Sequence, residues 1–370
     1  MPRTPDPDED DLDALPPVHF AEQALLGALL LEPHRLDEVP PIDPDCFSTA
    51  AHSALFAAIR SLPAPDPAQH TQNTDWLEKV LTTAQDHVRG LSASYLHTVI
   101  QVCPRPRHAP AYARMIEAEH ARRTLRAGAQ RLAQTARDLT HPQPVPTTLA
   151  EADALTAIVD HLAATFPPHP GSLPRTPAPT PAAPHNGDEA AEEERLLLAA
   201  ATAHPRDVEQ MRWLTAGDFT RPLHGGLWQS ATALAQRHAP VDPVTILWEA
   251  QQRGLLTADT EPAELLDLLG APAVGSPHYW GERVLQHSLL ATAHHVALRI
   301  EAFTDDPATT PYQLVVGSRR ALADLAAVRT RWHHATSPAP APTHQPTRAS
   351  APPRAGPPRT TAPSPSRISR

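Results

Sequence analysis

The chain has 370 residues, a formal net charge of −10, 45 prolines and 14 glycines; that length allows two domains with tails, and the charge argues against wholesale binding to nucleic acid. Its two cysteines, Cys46 and Cys103, are too few for a disulfide framework or an all-cysteine zinc site. The longest apolar run, Ala24 to Leu31, falls far short of the ~20 residues that span a bilayer, and the acidic beginning carries no leader pattern, so a cytoplasmic protein is expected.

Taken in chain order, residues 1–17 hold six acids and one arginine and are expected to be a disordered acidic tail. Residues 18–165 then read as helical. Leu25, Leu26, Leu29 and Leu30 share one helix face. Ser48 stands where an N-cap belongs, which puts Phe47 before the cap and His52 at the fourth helical position, the geometry of a hydrophobic staple. A long helix is predicted from Pro110 to Leu139, with Leu125, Leu132 and Leu139 at seven-residue spacing and Ala129 and Ala136 between them, a pattern that suits close helix packing. Thr148 and Glu151 form a candidate capping box for a returning helix that ends near Ala164. Residues 166–187 contain eight prolines and are expected to be a semi-stiff linker. Residues 188–335 read as helical again, with a long helix from about Pro277 to Phe303, a turn at 305–311 and a return helix carrying Leu314, Leu322, Leu325 and Val328. Residues 336–370 hold five arginines and no acid and are expected to be a disordered basic tail.

The two helical stretches repeat each other. Phe47, His52, Leu55 and Phe56 recur as Phe219, His224, Leu227 and Trp228, all at an offset of 172, as do Pro33 as Pro205 and Leu62 as Leu234. One residue out of that register, Glu22 with Leu25 and Leu26 recurs as Glu193 with Leu196 and Leu197. Further on, Tyr112, Ile116 and Leu132 correspond to Trp280, Val284 and Ile300 at an offset of 168. The expectation is an all-α chain of two tandem small helical bundles, each closed by a C-terminal helical hairpin.

Chemistry is sparse. The adjacent pairs His294–His295 and His333–His334 lack the i, i+4 spacing of a helical zinc pair, so no metal is expected. The repeated positions Phe47, His52, Phe56, Phe219, His224 and Trp228 are read as structural. Arg122, Arg123, Arg126 and Arg131 give the first long helix a basic face, either a solvated surface paired with acids such as Glu119 or a weak contact for nucleic acid. No aromatic residues interleave with it as single-strand binding uses. No nucleophile signature is present, and neither a catalytic residue nor a cofactor is expected.

Several segments resemble the N-terminal collar domain of DnaB-type bacterial replicative DNA helicases. They are AEQALLGALLLEPHRLDEV at 21–39, DFTRPLHGGLWQSATAL at 218–234, PVDPVTILWEAQQRGLL at 240–256, YARMIE at 112–117 and YWGERVL at 279–285. The resemblance implies a domain that pairs through its helical hairpins and receives partner proteins of replication: the helicase, its loader or a primase. It also implies that the two copies pair, with Leu125, Leu132 and Leu139 facing Ile300 and Phe303. Copy one lacks the PVDPVTILWEAQQRGLL-like segment and has a proline-containing loop with a short helix near Trp76–Val80 in its place. The helicase motor needs a phosphate-binding loop ending in Gly-Lys, whereas the single lysine, Lys79, follows a glutamate and no glycine precedes a lysine. An association protein without ATPase or helicase activity is expected. The alternatives are a nucleic-acid-binding accessory using the arginine face and basic tail, and a collar subunit for a separately encoded motor.

Overall fold

A computed structural model describes residues 15–168, 187–258 and 260–337; nearly all of the two proposed tails and of the linker lie outside the described residues. The first copy comprises α1 (Pro17–Leu31), α2 (Ala50–Ser61), α3 (Pro67–His70), α4 (Asp75–Gln85), α5 (Ala93–Gln101) and the hairpin α6 (Ala109–Arg137) and α7 (Pro144–Thr165). The second comprises α8 (Gly187–Ala203), α9 (Pro205–Val208), α10 (Pro222–Gln236), α11 (Pro243–Gln252), α12 (Pro262–Leu269) and the hairpin α13 (Pro277–Asp305) and α14 (Pro311–Thr336). Short 3-10 turns join them, and the described residues contain no strand. Many of the prolines therefore open helices. α1, α7 and α9 to α14 all begin on one, where its fixed φ suits the first turn and its missing N–H removes no bond.

The repeat holds in three dimensions. α2 and α10 begin 172 residues apart, while α6 and α13 begin 168 apart and are each 29 residues long. The four-residue difference falls between them, where copy one folds α3 and α4 and copy two folds α11. Two sequence expectations at helix ends are corrected. α7 begins at Pro144, so Thr148 lies inside it, buried and with an unpaired hydroxyl, and no capping box forms with Glu151. α6 ends at Arg137, so Leu139 lies beyond it in the turn and is 36% exposed.

The apolar interior divides differently from the sequence repeat. One core belongs to the first head alone and contains Leu25, Leu26, Phe56, Ile59, Val80, Val99 and Ile116. The other runs through the head of copy two and through both hairpins, joining Leu125, Leu132 and Leu155 to Trp228, Leu289, Ile300 and Leu314. The boundary falls within α6, after Ile116 and before Ala121. The two expected bodies, 18–165 and 188–335, are thus not separate cores: the first hairpin is built into the second. The contact of α6 with α13 is the most extensive between any two helices described. Close approach within each hairpin uses a glycine. A Cβ on Gly128 of α6 would lie 2.9 Å from Leu155 Cδ1 of α7, and one on Gly317 of α14 would lie 2.8 Å from the Phe303 ring of α13.

Candidate functional site

Two arrangements stand out: a buried polar clamp repeated in each copy, and the joint between the copies. In the first clamp Glu22 accepts from the Ser48 backbone N–H at 2.6 Å, from the Ser48 hydroxyl at 2.9 Å and from His52 Nδ1 at 2.5 Å. In the second, Glu194 accepts from the Thr220 N–H at 2.5 Å, the Thr220 hydroxyl at 2.7 Å and His224 Nδ1 at 2.7 Å. The spacings of 26 and 30 residues are the same in both. Glu194 is therefore the counterpart of Glu22. The pairing of Glu22 with Glu193 is corrected; Glu193 instead accepts from Arg283 and His287.

The clamps also correct the staple and cap assignments. The α2 cap is Thr49, whose side chain accepts from the His52 N–H, and the residue capping α10, Arg221, makes no side-chain cap bond. Ser48 and Thr220 serve the carboxylates. Phe47 packs on Phe56 with ring centroids 4.9 Å apart, and Phe219 on Trp228 at 6.1 Å, rather than on the histidines. Phe47, His52, Phe56, Phe219, His224 and Trp228 are all buried. A buried carboxylate is costly unless its lone pairs are filled. Burial acts to raise the Glu194 pKa, but the bonds from His224 and Thr220 outweigh it and hold this carboxyl below the usual range.

His19, Glu22 and His52 have ligand atoms within 4.8 Å of one another, as a metal site would require. The contacts fit hydrogen bonding instead. Two ligands of one tetrahedral ion at bond lengths of about 2 Å stand roughly 3.3 Å apart, whereas His52 Nδ1 and Glu22 are 2.5 Å apart. The other nitrogen of His52 lies 2.7 Å from the Tyr95 hydroxyl, and copy two has Ala191 where copy one has His19.

At the joint, Arg122 of the basic face turns inward. Arg122 donates to the carbonyls of Thr304 at 3.1 Å, Asp306 at 2.8 Å and Thr309 at 2.6 Å, and so captures the end of α13 and the turn after it. Arg126 pairs with Asp305, and Arg123 donates to the Cys46 carbonyl at 2.7 Å. Arg122, Arg123 and Arg126, the candidate nucleic-acid contacts, thus each have a partner within the protein, and Arg126 remains 48% exposed. Arg131, 51% exposed, pairs with Glu151. Between α7 and α14, Arg319 pairs with Asp160 and Arg329 with Asp153, an antiparallel order. Leu125, Leu132, Ile300 and Phe303 are buried in the shared core, and Leu139 is the one expected pairing residue outside it. The feature sequence reasoning missed is the exposed pair Val244 and Trp248 on α11, 65% and 61% exposed at i, i+4 spacing, on the helix that stands where copy one folds α3 and α4.

The family model for the DnaB-like helicase N-terminal domain matches residues 15–118 and 186–279, more than half of the chain. The chain belongs to that family and carries its domain twice. The two matches end close to the starts of α6 and α13, so the hairpins lie mostly beyond them. Comparison with curated proteins and with solved structures gave no match. No helix among the described residues is long and apolar enough to cross a membrane.

Proposed function

We propose that this chain is a non-catalytic association protein of DNA replication, a paired collar made from one polypeptide that binds a replicative helicase, its loader or a primase. The observation that carries the reading is the joint: family domains in tandem, with α6 of one copy and α13 of the other in a single core and Arg122 fastening the turn of the second hairpin. Pairing within the chain leaves the outer surfaces of both heads for partners, and the Val244–Trp248 face offers the aromatic anchor that such contacts favour. With no Gly-Lys step in the sequence, the chain has no means of gripping a terminal phosphate in the manner of the family's motor. A collar supplied to a separately encoded motor is the same reading with the helicase as partner. The three carbonyls that Arg122 binds and the acids paired with Arg126 and Arg131 weigh against the nucleic-acid alternative.

The test is direct binding of the purified chain to the helicase, loader and primase of its own cell, with Trp248→Ala as the surface variant, beside an ATPase assay. Binding to one partner, weakened by Trp248→Ala, with no ATP hydrolysis is expected. Nucleotide-dependent unwinding by the chain itself, or failure to bind all three, refutes the reading.

A further inference from the structure

The two copies differ on the far side of the repeated histidine. In copy one, His52 Nε2 lies 2.7 Å from the Tyr95 hydroxyl, and the two rings are stacked with centroids 6.2 Å apart. The His19 ring lies 4.8 Å from that of His52, and Gln23 lies one helical turn beyond His19 on the same helix. Copy two replaces each of these neighbours. Ala191 and Arg195 stand for His19 and Gln23 at the offset of 172. Tyr95, third residue of α5, becomes Glu264, third residue of α12; the buried pair Leu96 and Val99 becoming Leu265 and Leu268 fixes that register.

The result is an opening. His224 keeps Nδ1 on Glu194 at 2.7 Å and is itself only 4% exposed, yet its Nε2 has no hydrogen-bond partner among the described residues. It borders a pocket of about 480 Å³ whose walls include Arg195, Leu223, Glu264, Leu265 and Leu268. Because Nδ1–H is given to the carboxylate, Nε2 is the ring atom left to meet a ligand, as an acceptor from the neutral ring or a donor from the protonated one. Arg195 can only donate. A hydroxyl, which both donates and accepts, can meet Nε2 in either state of the ring and accept from the guanidinium, whereas a carboxylate can only accept. The leucines suit an aromatic ring behind that hydroxyl.

We propose that this pocket binds a phenol, the side chain of a tyrosine presented by a partner protein, seated against His224 as Tyr95 is seated against His52. Copy one carries its own plug, and copy two takes one from outside.

The test is NMR of the histidine rings in the full chain, titrated separately with N-acetyl-tyrosinamide, N-acetyl-phenylalaninamide and acetate. Tyrosinamide is expected to shift the His224 ring saturably and leave His52 unmoved. Phenylalaninamide should bind at least about tenfold more weakly, because without the hydroxyl Nε2 loses its hydrogen-bond partner. Glu264→Tyr, which installs the copy-one residue, should abolish the response. Arg195→Ala, at an exposed position, should weaken it several-fold with the fold intact. The proposal is overturned by an unresponsive His224, by equal response to the two amides, by acetate taking the site in preference to the phenol, or by binding unaltered in both variants.

Discussion

Replacing Arg122 by alanine tests whether the joint is a structural element or an incidental contact. The side chain is only 16% exposed and donates to three carbonyls, two of them on the buried residues Thr304 and Thr309. Carbonyls at a helix end have no partner within the helix, and a cation there is favourable. A bond from a charged donor contributes about 1.5–3 kcal/mol, and three from one group are not additive because water enters when it is removed; a loss of about 2–4 kcal/mol is expected. Arg131→Ala is the control. Arg131 sits on the same helix but is half exposed, and its pair with Glu151 is worth about 0–1 kcal/mol. Arg122→Lys should fall between the two, since one ammonium cannot reproduce the planar fork. Urea unfolding followed by tryptophan fluorescence reads the effect well, because Trp213, Trp228, Trp248, Trp280 and Trp332 all lie in copy two and only Trp76 in copy one. A substitution in copy one is thus expected to shift a signal that comes mainly from copy two. If Arg122→Ala lies within about 0.5 kcal/mol of Arg131→Ala, the fastening role assigned to it is wrong.

The clamp makes a pH prediction. Folding lowers the Glu194 pKa, so its contribution is fully present above the unfolded pKa and is lost as pH falls through the folded one. The wild type should therefore lose stability more steeply than Glu194→Gln in the acid range below the ordinary glutamate value, while being about 1–3 kcal/mol more stable near neutrality; parallel stability–pH curves would contradict this. In the first head, a Cβ at Gly27 would press into the Val99 carbonyl oxygen and lie 2.8 Å from Cys103 Cβ, so α1 could not keep its seat on α5. Gly27→Ala should cost about 1–3 kcal/mol despite the helix propensity it gains, and a stabilised variant in thermal unfolding would show that the helices are not so closely packed.

Much of this was legible because repetition is a strong signal. The shared offset of 172 located both histidines and both aromatic partners, and the shift to 168 marked the segment where the copies diverge. What failed did so for physical reasons. Three consecutive glutamates, Glu192 to Glu194, leave the register open by a residue, and only bonds to Thr220 and His224 choose among them. His52 stands at staple spacing from Phe47, but its partner lies 30 residues away, beyond any local pattern. The heptad of leucines continues to Leu139 in sequence, while the helix stops at Arg137. Arg122 looks like part of a solvated face because the chain that covers it arrives more than 180 residues later.

That last point leads to a test of the fusion itself. Residues 15–168 expressed alone keep the first head core, including Leu25, Phe56 and Ile116. Their hairpin loses the partner that helps bury Ala121, Leu125, Ala129 and Leu132. An apolar helix face of this kind associates with whatever complementary surface is at hand, and the nearest in kind is α6 of a second molecule, which would form an isologous two-fold contact. In the full chain the second copy is tethered, and a tether of a few tens of residues supplies an effective concentration on the order of millimolar, so pairing is intramolecular and independent of dilution. The fragment should therefore dimerise as its concentration rises, with a stability that rises alongside, while the full chain shows neither dependence. Sedimentation and denaturant unfolding over a hundredfold concentration range distinguish the two. A fragment that stays monomeric throughout and unfolds as it does within the full chain would mean that α13 contributes nothing to the first hairpin, and the shared core would not be what holds the copies together.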